Sequence, residues 1–235
     1  MSLLSVTKDV CAAVGVLIPA TSVFSNLAGN RTMQEMISLA NEMAQRIAYD
    51  TREWTKLKKT CVFTGDDIKA SFPLPADFKR MLLTAQVWRS TQTQSPMRFI
   101  PDTDEWLQRR MQGNYDSRGE WTMLGGEMHI QPIMKAGQTA TFLYLHRNPV
   151  VLNSGGLGDA FVNDLDGFLL GDRLLKLGMI WQWISYKGTP YTEDMGTYGD
   201  ALTLAMGTDS PSPIIVDRSP ISNNAKVAYP WPVPT

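Results

Sequence analysis

The chain carries only two cysteines and two histidines in 235 residues. Cys11 and Cys61 stand apart, neither in a C-x-x-C pair, which excludes a zinc ribbon and a dithiol redox motif. Two half-buried thiols in a reducing compartment are expected instead. There is no G-x-S-x-G elbow, no Walker-A sequence and no H-E-x-x-H helix, so the common hydrolase, nucleotide and zinc-protease signatures are missing. Nor is there a surplus of one charge: 22 Lys and Arg face 23 Asp and Glu. A dedicated duplex binder would show clustered basic residues, because binding works through release of phosphate counterions. The apolar stretch Val10 to Ile18 falls far short of the ~20 residues that span a bilayer. No basic segment precedes it, as a signal peptide would require. The expectation is a soluble chain, with no membrane partner, that stays in the cell or leaves it inside a particle.

What is present is ordinary globular composition, 43% hydrophobic, enough to bury a sizeable core. Leu3 to Val14 is predicted as a first helix, closed by Gly15 and Pro19, and Ala20 to Asn30 as a loop. Met33, Met36, Ile37, Ala40, Met43, Ala44, Ile47 and Ala48 recur at three and four residues, with Thr32 and Glu35 at capping-box spacing. That pattern predicts an amphipathic helix. From Trp54 the texture turns to β. Cys61-Val62-Phe63 and Ala70-Ser71-Phe72 are predicted as a hairpin around Gly65-Asp66-Asp67. After a short helix from Pro101 to Met111 come strands at Glu120 to Leu124, Glu127 to Pro132 and Thr139 to His146. Gly125-Gly126 reads as a tight turn between the first two. Past the loop Asn153 to Gly158, Asp159 is predicted to cap a long helix. Its face would hold Phe161, Leu165, Phe168, Leu169, Leu174, Leu177, Trp181 and Ile184, and Gly188 would end it. Thr189-Pro190 would start one more helix, to about Gly207. Thr208 to Thr235 holds six prolines and cannot be a helix of any length, yet Ile214-Ile215-Val216 and Tyr229-Pro230-Trp231 are apolar clusters.

The expected fold class is therefore α+β. Residues 1–56 and 151–207 supply helices of one bundle, 57–150 form an inserted β-rich lobe, and 208–235 form an extended docking arm.

Candidate chemistry is sparse. His129 and His146 lie singly in predicted strands, where histidines are mostly structural. The glycine-rich loop 153–158 lacks the Lys-Ser/Thr of a phosphate cradle and reads as a linker. Asp66/Asp67, Asp102/Asp104/Glu105, Asp164/Asp166 and Glu193/Asp194 sit at turns or helix starts, where free N–H groups favour carboxylates. Lys56/Lys58/Lys59 and Arg109/Arg110, near Trp54 and Trp106, read first as solvated edges, with a nucleic-acid surface as the alternative. No catalytic residue, metal or cofactor is expected.

Several phrases resemble the head–tail connector, or adaptor, family of tailed phages, including the tail-tubular-protein-A-like adaptors. They are the helix Thr32 to Asp50 with Arg52-Glu53-Trp54, the run from Phe72-Pro73-Leu74-Pro75 to Trp88, Met128-His129-Ile130-Gln131-Pro132, and Phe142 to Val150. The late long helix and the arm fit as well. The resemblance implies a non-enzymatic virion protein of the neck between capsid and tail. About twelve copies would close a ring by a repeated head-to-tail contact. DNA would pass through without sequence-specific binding. Portal protein would be the partner on one side, and a tail or nozzle protein on the other. In such a ring the helix stripes, with Met36, Met43, Ile47, Leu177, Trp181 and Ile184, would pack neighbouring subunits. Ile214, Ile215, Val216, Tyr229 and Trp231 would anchor the arm to the portal, and the loops Thr91 to Pro96 and Asn114 to Arg118 would meet the tail. Three alternatives stay open: another neck or tail-completion protein, a small α+β hydrolase, and a free-standing nucleic-acid binder.

Overall fold

The computed structural model describes residues 2–25 and 29–209. The fold is α+β, as expected. Helix α1 (Leu3–Val14) starts at Ser2, whose hydroxyl accepts the Ser5 N–H, and closes at Gly15. Helix α2 (Arg31–Tyr49) is capped by Asn30, whose side chain accepts the Met33 N–H, and not by Thr32. Glu35, the expected capping-box partner, instead pairs with Arg31 and Lys187. The predicted stripe is real, with Met33, Met36, Ala40, Met43, Ala44, Ile47 and Ala48 all buried.

The lobe begins with β1 (Lys58–Thr64), β2 (Ser71–Pro73), β3 (Phe78–Met81), β4 (Trp88–Arg89) and β5 (Arg98–Phe99). Helix α3 (Thr103–Gln112) follows, then β6 (Glu120–Leu124), β7 (Glu127–Gln131) and β8 (Thr139–His146). Here the predicted hairpin fails. β1 pairs antiparallel along its whole length with β8, while β2 pairs with β7 in a different sheet. The Gly65 turn thus carries the chain from one sheet to the other, and Phe63 and Phe72 meet across the gap with ring centroids 5.0 Å apart. β8 is flanked on its other side by β3 and β4, so β1 is an edge strand; the second sheet runs β2, β7, β6, β5. The turn between β6 and β7 is as predicted. Gly125 and Gly126 both have positive φ, which the tight right-twisted turn requires and other residues resist.

The largest correction concerns residues 159–171, which are not helical. After β9 (Val150–Val151) come β10 (Leu157–Gly158) and β11 (Gly167–Phe168), and only then α4 (Asp172–Tyr186) and α5 (Thr192–Thr208). Asp166, almost fully buried, accepts N–H bonds from Asn153, Val162 and Asn163 at 2.7–2.8 Å. Asp164 accepts the Val23 N–H at 2.8 Å. Carboxylates that capture backbone donors in this way offer the chain an alternative to helix. α4 starts instead at Gly171, where φ is +118°. α4 is buried on several sides because it packs against α1, α2 and α5 at once.

Two cores result. One unites α1, α2, α4 and α5 with Leu57, Leu82, Leu145 and Val150, so the bundle grips the root of the lobe. The other lies between the lobe's sheets around Phe63, Phe72, Trp121, Met128, Ile130 and Phe142.

Candidate interaction surface

The side chains expected to pack neighbouring subunits lie mostly inside this chain's own core. Met36, Met43 and Ile47 are fully buried beneath α4, and Met43 touches the space beside Gly178. Trp181 is buried too, with the Arg46 guanidinium 5.3 Å from its ring centroid and Tyr198 beside it. Leu177 and Ile184 are half-buried. The reason is geometric: α4 is enclosed by three helices, so the stripe that reads as amphipathic in sequence faces intrachain neighbours. Met36, Met43, Ile47 and Trp181 are thus taken up within the chain, while Leu177 and Ile184 keep part of their surface. The arm residues Ile214, Ile215, Val216, Tyr229 and Trp231 lie outside the described residues.

The root of the arm is well defined. The Asp209 carboxylate accepts the Thr55 N–H at 2.8 Å and also bonds the Thr55 hydroxyl. Arg52 donates to the Met206 carbonyl. The chain thus leaves α5 beside the short turn that leads into β1.

The two loops assigned to tail contacts come together. Gln92 Nε2 donates to the Ser117 carbonyl at 3.2 Å, joining 91–96 to 114–118. Neither is a slack loop. Arg118 holds Asp116 through two guanidinium bonds of 2.8 and 3.0 Å, which pulls the Asp116 carboxyl far below the usual carboxylate range. Arg109 of α3 reaches the fully buried Glu120 at 2.7 Å and so clamps α3 to β6. Arg89 is buried beneath the same region and donates to Gln138 Oε1 at 2.8 Å, and burial lowers its pKa.

A second surface is apolar. On the outward face of the β1–β8 sheet, Val62, Leu143 and Trp88 are 54%, 44% and 42% exposed. Thr60 pairs with Leu143, and Val62 and Trp88 flank Thr141 on either side. Thr60, Trp88, Thr141 and Leu143, with Leu82 and Ala85, line a groove of about 410 Å³. β1 was legible in sequence as a run of β-formers, but the apolar patch also needs Leu143 of β8 and Trp88 of β4, which pair in from elsewhere in the chain.

The remaining candidates are structural. The 153–158 loop is the turn between β9 and β10, not the entry to a helix. His146 is buried at the seam of lobe and bundle. Its Nδ1 accepts the Asn148 N–H, its Nε2 faces the Lys56 carbonyl, and its own carbonyl accepts the Tyr49 hydroxyl. Burial, helped by nearby Lys59, pushes its imidazole pKa below 6.5. The folded state therefore binds this proton more weakly than the unfolded chain, and stability is expected to fall as pH drops below about 6.5. Melting curves between pH 7.5 and 5 check this; in His146→Gln that part of the decline should vanish.

Asp66 accepts the Ile68 and Lys69 N–H groups, and Asp102 caps α3. Among the described residues no group of three or more His, Cys, Asp or Glu side chains converges as for a metal, and no helix is long and apolar enough to cross a membrane. Compared with known protein families and with curated proteins, the chain matches none.

Proposed function

We propose that this chain is a structural subunit of a phage head–tail connector ring, seated between portal and tail and acting by contact rather than catalysis. The observation that supports the reading is the separation of two surfaces on a frame of packed helices and an inserted lobe. Helices from both halves of the chain enclose α4, and their core continues into the root of an inserted lobe. At one place on this frame the two braced loops 91–96 and 114–118 adjoin; at another the arm is tied down at Thr55. A connector needs separate contacts for two unlike partners, plus a lateral contact that repeats until the ring closes. The loops serve the tail or nozzle protein. The arm, with Ile214, Ile215, Val216, Tyr229 and Trp231, serves the portal. DNA passes through the ring without sequence-specific contacts, and the protein resides in the virion neck.

The decisive measurement is the native mass of whatever co-purifies with the tagged chain from particles or lysate. A complex of many copies with a portal-like protein is the expected result. A lone monomer holding only small molecules would overturn the reading and restore the hydrolase alternative.

A further inference from the structure

One side of α2 faces a pocket. Glu35, Leu39 and Glu42 follow one another at four and three residues, so they share one side of the helix. Across from them stand Trp183 and Tyr186 of α4, with Lys187 at the point where that helix ends. Together they line an open pocket of about 260 Å³. Trp183 is buried and supplies an aromatic wall, while Glu42, Tyr186 and Lys187 are exposed at the rim.

The chain itself shows what this surface accepts. The Lys187 ammonium lies 4.4 Å from the centroid of the Trp183 ring and 3.2 Å from Glu35 Oε2. An indole face beside a carboxylate attracts a cation through both the ring quadrupole and the charge. Glu35 is matched twice over, since Arg31 also reaches it, at 2.8 Å. Glu42 is not matched. Among the described residues it meets no cation, and its hydrogen bonds come only from the Tyr186 hydroxyl, at 3.3 and 3.4 Å. The pocket thus holds one carboxylate more than its own cations answer. Size narrows the ligand further. Pockets that enclose a free small molecule run from about 300 Å³ upward and bury most of it. This one is smaller and open, which suits the end of a side chain.

We infer that this pocket seats a basic side chain of a protein partner, whose cation lies between Glu42 and Trp183, and that Lys187 is the resident cation it displaces. Lys187 is free to yield, because half of its side-chain surface is exposed and only Glu35 and the indole hold it. An arginine is the better occupant. Its guanidinium is more weakly hydrated than an ammonium, stacks on an aromatic face and can bond a carboxylate through two N–H groups at once. The same seam between α2 and α4 already holds Arg46 in this way, 5.3 Å from the centroid of Trp181. The inference stands apart from the connector reading, since it fixes the chemistry of a contact and not the identity of the partner.

Titrating the full chain with N-acetylarginine amide, followed at the Trp183 indole N–H signal, tests it. The signal should shift and saturate, whereas N-acetylcitrulline amide, similar in shape but uncharged, should leave it in place. Glu42→Gln should weaken binding about threefold, as expected for a half-exposed ion pair. Lys187→Met should strengthen it by about the same factor, because the seat is then empty. Both variants change exposed side chains and should melt with the unaltered chain. No shift up to the solubility limit, equal shifts from the citrulline derivative, or a Lys187→Met chain that binds no tighter would overturn the inference. Spermidine binding more tightly than the arginine derivative would overturn the assignment to a side chain in favour of a free polyamine.

Discussion

A chain ending at Asp209 should melt within about 2 °C of the full chain and lose attachment to the portal entirely. The cut has to fall there because of what Asp209 does. Its carboxylate holds the Thr55 N–H, and the Arg52 guanidinium lies 4.0 Å from it. A cut before Asp209, at the boundary read from the prolines, would remove that tie and loosen the end of α5 against the Trp54–Lys56 turn. After Asp209 the described core is complete, so the fold should persist. Attachment should behave oppositely. In the proposed ring every subunit would repeat the arm contact, and linked contacts multiply. Losing only ~1.4 kcal/mol per arm is tenfold per subunit. Tyr229→Ala with Trp231→Ala should therefore reproduce most of the loss, since buried aromatics dominate such contacts. Co-sedimentation with the portal, beside a thermal melt, reads both arms of the prediction. Undiminished attachment of the shortened chain would remove the arm from the portal contact.

The contrast between legible and illegible parts follows range in sequence. α1, α2 and the β6–β7 hairpin were read nearly to the residue, because their signals are local: a cap, a stripe and two turn glycines. The hairpin placed around Gly65 failed for the opposite reason. Turn residues report that the chain reverses, not which strand it pairs with, and β1 finds its partner in β8, about 75 residues on. The helix drawn from Asp159 failed because Phe161, Leu165 and Phe168 mimic a helical stripe. The Asp166 side chain decides the matter by taking the Val162 and Asn163 N–H groups that a helix would use, while Asp164 is turned to the Val23 N–H, far back in the chain. Thr189 was misread as a cap for a similar reason. Its N–H closes α4 by bonding to the Ile184 carbonyl while the Gly188 N–H bonds to Ser185, so it ends one helix rather than starting the next. The interaction surfaces were the least legible. Met36, Met43 and Ile47 look like an interface stripe until three helices are seen to enclose α4. The apolar groove at Trp88 is assembled from β1, β4 and β8, and no single window contains it.

Gly65→Ala should destabilise the lobe by about 3 kcal/mol, the upper end of ordinary overpacking, whereas Gly178→Ala should change stability by less than about 1 kcal/mol. A Cβ at either glycine meets a neighbour at nearly the same distance, 2.5 Å at Gly65 and 2.6 Å at Gly178. The difference lies in what it meets. At Gly65 the neighbours are Met134 Cβ and the Met134 and Lys135 carbonyl oxygens, the latter two at 2.6 Å. The same backbone is held in place: Asp67 N–H donates to the Met134 carbonyl, and Gly65 N–H to Gln138. Relief would need the 134–138 turn to move, and with it the crossing from β1 into the second sheet. At Gly178 the neighbour is the terminal methyl of Met43, the end of a flexible side chain. A shift of that side-chain end past Tyr198, 3.3 Å from the same point, is cheaper than moving backbone, and replacing a mid-helix glycine by alanine returns roughly 0.5–1 kcal/mol in helix preference. For a chain of this size the Gly65→Ala loss corresponds to a melting point lower by about 6–12 °C. The loss should show first in the lobe. Protection of β1 and β8 amides should fall while α2 and α4 stay protected. Because β1 carries the free edge and adjoins the arm's root, the same variant should weaken portal attachment without touching a single arm residue. Equal melting points for the two variants would mean that the 134–138 turn yields as easily as a methionine side chain.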